Sequence, residues 1–226
     1  MRHITFREWD KSAFSLSRKV KTHVVLVRRS SFQDVREAVF AGVSNEEAER
    51  AERFFHAKDK ELYLLGKFVL RSILADLTGL SPKEITFSIT GNKKPFFQEQ
   101  EFNITHTGDH IYLAFSPFAL GIDAEKINPD FDPQPIIDSC FSEEDRAKLL
   151  SGNDRLNFYT VWTRKEALLK ATGEGLCDDL KQVRALHDEV KRNGRNYFLS
   201  TRFHDNYIVS YATLHPDTDE ECWIWD

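Results

Sequence analysis

Residues 111–125 read IYLAFSPFALGIDAE, and the way this stretch folds decides the rest of the chain. Ile111–Phe115 and Leu120–Glu125 are two short β-prone runs joined through Pro117, so they are expected to form a hairpin. Side chains on a strand alternate between its faces. Leu120, Ile122 and Ala124 therefore share one face, and Gly121, Asp123 and Glu125 the other. Two carboxylates project side by side from a strand whose opposite face is apolar.

Upstream, Phe102–His106 reads as extended, Gly108-Asp109 as a turn, and Gly91-Asn92-Lys93-Lys94-Pro95 as a turn cluster following a strand-like Ile85–Thr90. Leu62, Leu65, Val69, Ile73 and Leu77 recur at helical spacing, so a helix is expected from about Lys58 to Leu77, stopped by Thr78-Gly79 and Pro82. Ser44 with Glu47 forms a capping box for a shorter helix before it, and His23–Arg28 (HVVLVR) is a strand. Downstream, the three prolines of Asn128–Pro135 read as the crossing between halves. Ser142 with Asp145 caps a short helix, and a longer one covers Asp154–Ala171 before Gly173 and Gly175. Tyr197–Thr201, Tyr207–Thr213 and Cys222–Trp225 alternate as strands, with Asn193-Gly194 as a turn before them. Each half runs from a short helix to a long one ending near a Gly-Leu pair, Gly79-Leu80 or Gly175-Leu176, and then to strands. The expectation is an α+β protein of two similar halves, 1–117 and 118–226.

Composition agrees with a folded domain. The 226 residues are 41% hydrophobic, 12% aromatic and 30% charged, enough apolar surface for a sizeable core and too much for disorder. With 31 Lys+Arg against 36 Asp+Glu the formal charge is −5, which gives no overall attraction to nucleic acid or an anionic membrane. Neither a signal peptide nor a spanning segment is evident, so a cytoplasmic protein is expected. Cys140, Cys177 and Cys222 are odd in number and widely spaced, which argues for reduced thiols rather than disulfides or a zinc site.

The chemistry-bearing residues converge on two places. In WTRKEALLK, Trp162, Glu166 and Lys170 are spaced i, i+4, i+8 and form one ridge on a helix. An isolated Glu166–Lys170 pair is ordinarily a surface ion pair of about 0.3–0.5 kcal/mol, and Asp-x-Glu on a strand is ordinarily its wet face. If the ridge packs on the Asp123/Glu125 face, however, three carboxylates meet. Like-charge repulsion then requires a divalent cation, and oxygen ligands suit Mg²⁺ gripping phosphates. In FNITHTG, residues 102–108, a hydroxyl and an imidazole before a glycine turn are donors for a phosphate oxygen, or simply the polar end of a strand.

Taken in order, G-x-K-K-P (91–95), F-N-I-T-H-T-G (102–108), G-I-D-A-E (121–125), F-S-E-E-D (141–145), W-T-R-K-E-A-x-x-K (162–170) and G-E-G-L (173–176) resemble the 4′-phosphopantetheinyl transferase superfamily. The likeness is to its larger, pseudo-dimeric, surfactin-synthetase-activating type. The resemblance implies two α/β halves related by a pseudo-two-fold axis with the active site at their interface, acting as a monomer. It implies transfer of phosphopantetheine from coenzyme A to a serine of an apo acyl or peptidyl carrier protein, with release of adenosine 3′,5′-bisphosphate. By similarity, Asp123, Glu125 and Glu166 hold Mg²⁺ on the diphosphate, and Glu166 is also the base for the carrier serine. Lys170 meets the diphosphate and assists the leaving group. Thr105 and His106 contact coenzyme A phosphates, Lys94 and Pro95 lie beside the adenine, and Arg71 with Arg50 or Arg53 lies near the 3′-phosphate. Lys165 and Trp162 shape the pantetheine wall.

The chain departs from the family pattern at several positions. Thr105 and Thr107 stand where Ser is common, and both keep the hydroxyl. Asp145 is one methylene shorter than the usual Glu, which puts a metal contact there in doubt, and Glu47 occupies a position where relatives can be basic. The rival readings are an Mg²⁺-dependent hydrolase of nucleotide pyrophosphates and a non-catalytic carrier-binding module.

Overall fold

The computed structural model describes residues 2–14, 22–89, 94–98, 100–175, 180–216 and 220–226. The expected turn over Gly91–Lys93, Leu176 and Cys177 lie outside the described residues. In chain order the elements are β1 (Arg2–His3), β2 (Arg7–Glu8), β3 (Thr22–Arg28), α1 (Arg36–Gly42), α2 (Asn45–Ala51), α3 (Ala57–Thr78), β4 (Ser88–Ile89), β5 (Pro95–Phe96), β6 (Glu101–Thr107), β7 (His110–Ser116) and β8 (Leu120–Lys126). They continue with α4 (Gln134–Cys140), α5 (Glu143–Leu149), α6 (Asp154–Thr172), β9 (Glu189–Arg192), β10 (Arg195–His204), β11 (Tyr207–Thr213) and β12 (Glu220–Trp225).

Two five-stranded sheets organise the molecule. The first has the order β2-β12-β3-β7-β6; the second has β1-β10-β11-β8, with β9 also on β10. Strand alternation gives each sheet two apolar faces. Val25, Val27, Leu113 and Phe102 of the first sheet pack with Leu65, Val69 and Ile73 of α3. The opposite face, with Val24, Leu26, Tyr112 and Ala114, meets Leu120, Ile122, Ala124 and Val209 of the second sheet. The outer face of the second sheet is covered by α6, through Ala167 and Leu168 against Leu199 and Ala212, and Phe158 against Phe203 and Ile208. The layers thus run α3, first sheet, second sheet, α6. Both long helices end in a left-handed glycine, Gly79 at φ 73° and Gly173 at φ 74°, which frees the chain to turn back without Cβ strain. The stop of the second helix is therefore Gly173 rather than Gly175.

Three expectations change. Ile111–Phe115 and Leu120–Glu125 are not a hairpin: β7 pairs with β3 and β6, whereas β8 pairs with β11 in the other sheet. The two runs stack face to face instead, because each buries an apolar face that the other can cover. The chain consequently crosses between sheets at residues 117–119, not through the prolines of 128–135, which lead into α4 beside its own sheet. Ile85–Thr90 keeps only a two-residue strand, since Ile85 follows a 3₁₀ turn over Pro82–Glu84 and is buried in the core. A division at 117/118 falls in the crossing, but both chain ends pass over it: β1 pairs with β10, and β12 lies between β2 and β3.

No described helix is long and apolar enough to cross a membrane.

Candidate functional site

The site is assembled where α6 lies along β8. A Cβ built on Gly121 would stand 2.1 Å from the Ala167 carbonyl oxygen and 2.3 Å from the Ala171 nitrogen, so the helix touches the strand backbone to backbone at the one residue that permits it. That approach brings the Trp162–Glu166–Lys170 ridge over Asp123 and Glu125. Lys170 Nζ donates to Asp123 Oδ1 at 2.7 Å, to the Ile122 carbonyl at 3.2 Å and to Thr105 Oγ1 at 3.4 Å. Thr105 Oγ1 donates to Asp123 Oδ1 at 3.1 Å, and Thr107 Oγ1 donates to Glu125 Oε2 at 3.1 Å.

Burial raises the pKa of Asp123, with the Lys170 ammonium opposing it. For Glu125 and Glu166 burial is again the first cause of an upward shift and the Asp123 charge the second. Both glutamates thus lie in the field of Asp123. Asp123 Oδ2 and Glu166 Oε1 are buried without a hydrogen-bond partner. A buried carboxylate oxygen left unpaired is costly, so the donor set suits a hard divalent cation: anionic, oxygen-only, and with two oxygens unclaimed. Among the described residues no three His, Cys, Asp or Glu side chains are closed into a metal-ligand cluster, and it is Lys170 that neutralises Asp123 in this arrangement. Glu125 and Trp162 border a cleft of about 310 Å³ walled by Phe131, Ile136, Phe158 and Tyr159. A cavity of about 420 Å³ opens on another face of α6, beside Arg164 and Arg202, and contains none of these carboxylates.

Other expected residues have different surroundings. Lys165 is fully buried, its Nζ 2.8 Å from Asp145 Oδ2 and donating to the carbonyls of Leu180 and Val183 at 2.8 Å each. It therefore does not line a cofactor wall, because successive helical residues point about 100° apart and Lys165 turns inward where Glu166 turns to β8. Asp145 is correspondingly an interior ion-pair partner and the capping-box carboxylate of α5. Arg71, expected near the 3′-phosphate, is buried, with Nε 2.6 Å from Glu47 Oε2 and Nη1 donating to the carbonyls of Ile85 and Pro82, so these donors have partners inside the protein.

Arg50 is exposed, its guanidinium 5.7 Å from the Tyr63 ring, and Arg53 is exposed in the turn after α2. Lys94 Nζ donates to Glu101 at 2.6 Å and to the Leu120 carbonyl at 2.8 Å, and Pro95 follows it on β5. Thr105 and His106 are adjacent but point to opposite faces of β6: Thr105 toward Asp123, exposed His106 on the face of Phe102 and Ile104.

Lys67 was missed by sequence reasoning, and Asn103 and Thr107 were read without their partners. Lys67 lies over Tyr63 and Phe87, 4.0 Å from Glu47, with burial lowering its pKa; its i, i+4 spacing to Arg71 was the available signal. Asn103 Oδ1 accepts from the Ile122 amide, and Thr107 Oγ1 from the Lys126 amide, each at 3.0 Å.

The sequence matches two family models over adjoining segments: "4′-phosphopantetheinyl transferase, N-terminal" over residues 30–118 and "4′-phosphopantetheinyl transferase superfamily" over residues 119–218. The Bacillus subtilis protein "4′-phosphopantetheinyl transferase ffp" is 31% identical over 216 residues, covering 89% of this chain and 96% of its own. "4′-phosphopantetheinyl transferase Sfp" of Bacillus subtilis strain 168 is 27% identical over the same shares of the two chains. The crystal structure of Thermotoga maritima holo-[acyl-carrier-protein] synthase overlaps 43% of this chain and 63% of its own at 20% identity and a TM-score of 0.31, which does not establish a shared arrangement.

Proposed function

The chain belongs to the 4′-phosphopantetheinyl transferase superfamily, and on that premise we propose that its β8–α6 site uses coenzyme A and Mg²⁺. The protein is an enzyme that transfers phosphopantetheine to carrier proteins. Asp123, Glu125 and Glu166 would hold the cation, which when bound supplies charge neutralisation for a diphosphate. The observation that carries this reading is the pair of buried, partnerless oxygens, Asp123 Oδ2 and Glu166 Oε1, on facing elements.

The protein's own groups supply the rest. In the transfer, the serine oxygen forms a bond to the pantetheine-side phosphorus as that phosphorus loses its bond to the oxygen of adenosine 3′,5′-bisphosphate. The Glu166 carboxylate accepts the serine proton on the oxygen that does not hold the cation. The Lys170 ammonium is held at three points beside Asp123 and offers positive charge to the departing phosphate. Thr105 orients Asp123. The cleft between Glu125, Trp162 and Phe131 is a wall for the pantetheine arm and the approach of the carrier serine. At the nucleotide end, exposed Arg50 and Arg53, with Lys67 in place of Arg71, are the cations for the 3′-phosphate, while Lys94, Pro95 and His106 border the nucleotide. The two sheets, each with a long outer helix closed by a left-handed glycine, support a pseudo-two-fold relation of two halves. One chain then carries the whole site and works as a cytoplasmic monomer.

Intact-mass spectrometry of an apo carrier protein incubated with the enzyme and coenzyme A tests the reading. A gain of one phosphopantetheine is expected with Mg²⁺, is lost in EDTA, and falls about 100-fold or more in rate with Glu166→Gln. Full transfer in EDTA, or a near-parental rate for Glu166→Gln, contradicts it. Loss of coenzyme A without carrier modification would mark a hydrolase.

A further inference from the structure

We propose that Thr107, supported by Asn103, is a positioning residue that sets Glu125 by clipping the free edge of β8 to β6. This rests on the reading of Asp123, Glu125 and Glu166 as the cation site. Strand β8 pairs with β11 on one side only, so its other edge presents main-chain amides and carbonyls that need partners. That edge faces β6 of the other sheet, and side chains bridge the gap. Asn103, Thr105 and Thr107 alternate on β6 and point the same way.

Asn103 Oδ1 accepts from the Ile122 amide at 3.0 Å, and Thr105 reaches the Asp123 carboxylate at 3.1 Å. Thr107 Oγ1 accepts from the Lys126 amide at 3.0 Å and donates to Glu125 Oε2 at 3.1 Å. A hydroxyl has one hydrogen. Because the Lys126 amide already points at its lone pair, that hydrogen is directed to Glu125, and a single side chain couples the position of the strand edge to the orientation of the carboxylate. Lys94 and Lys170 donate to the carbonyls of Leu120 and Ile122 on the same edge. The two sheets are thus registered at this seam by side chains, and the registry is set at the residues that carry the acids.

The test compares the full chain with Thr107→Val, which keeps the shape and loses both hydrogen bonds, and Thr107→Ser, which keeps the hydroxyl. Mn²⁺ is titrated calorimetrically into protein saturated with coenzyme A, beside a thermal melt and a Mg²⁺ titration of transfer. Thr107→Val is expected to bind Mn²⁺ about 10-fold more weakly, the usual range for loss of a group that orients a metal ligand being about 10–100-fold, and to need correspondingly more Mg²⁺. Thr107→Ser is expected to bind as the parent does. Thr107→Ala gives the same comparison if the valine chain does not fold at the assay temperature. Parental Mn²⁺ affinity in the hydroxyl-free variant overturns the inference alone. Absence of Mn²⁺ binding by the parent overturns the cation reading and the inference with it.

Discussion

Lys165 and Lys170 show how little residue type says about role. Both are lysines of one helix flanking Glu166, yet one ammonium is sealed against Asp145 and two carbonyls while the other reaches Asp123. Helical spacing carries a clue to the difference. Lys165 lies one turn from Val161, Leu168 and Leu169, all buried, whereas Glu166 shares its row with Trp162 and Lys170. The family resemblance alone placed Lys165 at the pantetheine wall, although the helical rows separate it from Glu166. Removing one partner of a buried ion pair strands the other charge, at a cost of about 3–5 kcal/mol. Lys165→Met is therefore expected to lower unfolding stability by that order in urea titrations, with an unchanged KM for coenzyme A in the folded enzyme. A stable variant with a raised KM would return Lys165 to the cofactor site.

Among elements, β8 carries the largest share of the architecture. Its alternation was legible: Leu120, Ile122 and Ala124 face the inter-sheet core, and Gly121, Asp123 and Glu125 face α6. The long helices and the capping boxes at Ser44 and Ser142 were legible too, because caps and apolar stripes are local signals. Its partner was not. Adjacent runs in sequence suggest a hairpin, but which apolar faces cover one another is settled by the whole core, and β7 and β8 are stacked rather than paired. Likewise the partner of Arg71 is Glu47, 24 residues earlier, a pairing that no local pattern shows. Gly121 leaves no room for a larger residue: with backbone atoms of Ala167 and Ala171 within 2.3 Å of a new Cβ, α6 must move off the strand. Overpacking of this kind typically costs about 1–3 kcal/mol, occasionally more. Gly121→Ala is expected at or above the top of that range in urea denaturation, with transfer largely lost. A variant that retains both stability and rate would contradict the close approach of α6 to β8.

At the scale of the molecule, the exchange of chain ends ties the sheets together: β1 extends the second sheet and β12 is internal to the first. Neither exchange is readable from local patterns, since a two-residue strand has no periodicity and a strand's neighbour is a non-local choice. The consequence for function is that β6 and β8, from different sheets, meet along a seam bridged by Asn103, Thr105 and Thr107, with α6 closing over it. In the proposed site, acids from β8 and α6 share one cation at that seam. Crystals grown with coenzyme A and Mn²⁺, measured at the manganese absorption edge, test it directly. The predicted result is an anomalous peak contacting Asp123, Glu125 and Glu166 and the diphosphate of coenzyme A. A peak elsewhere, or a diphosphate bound away from these carboxylates, would contradict it.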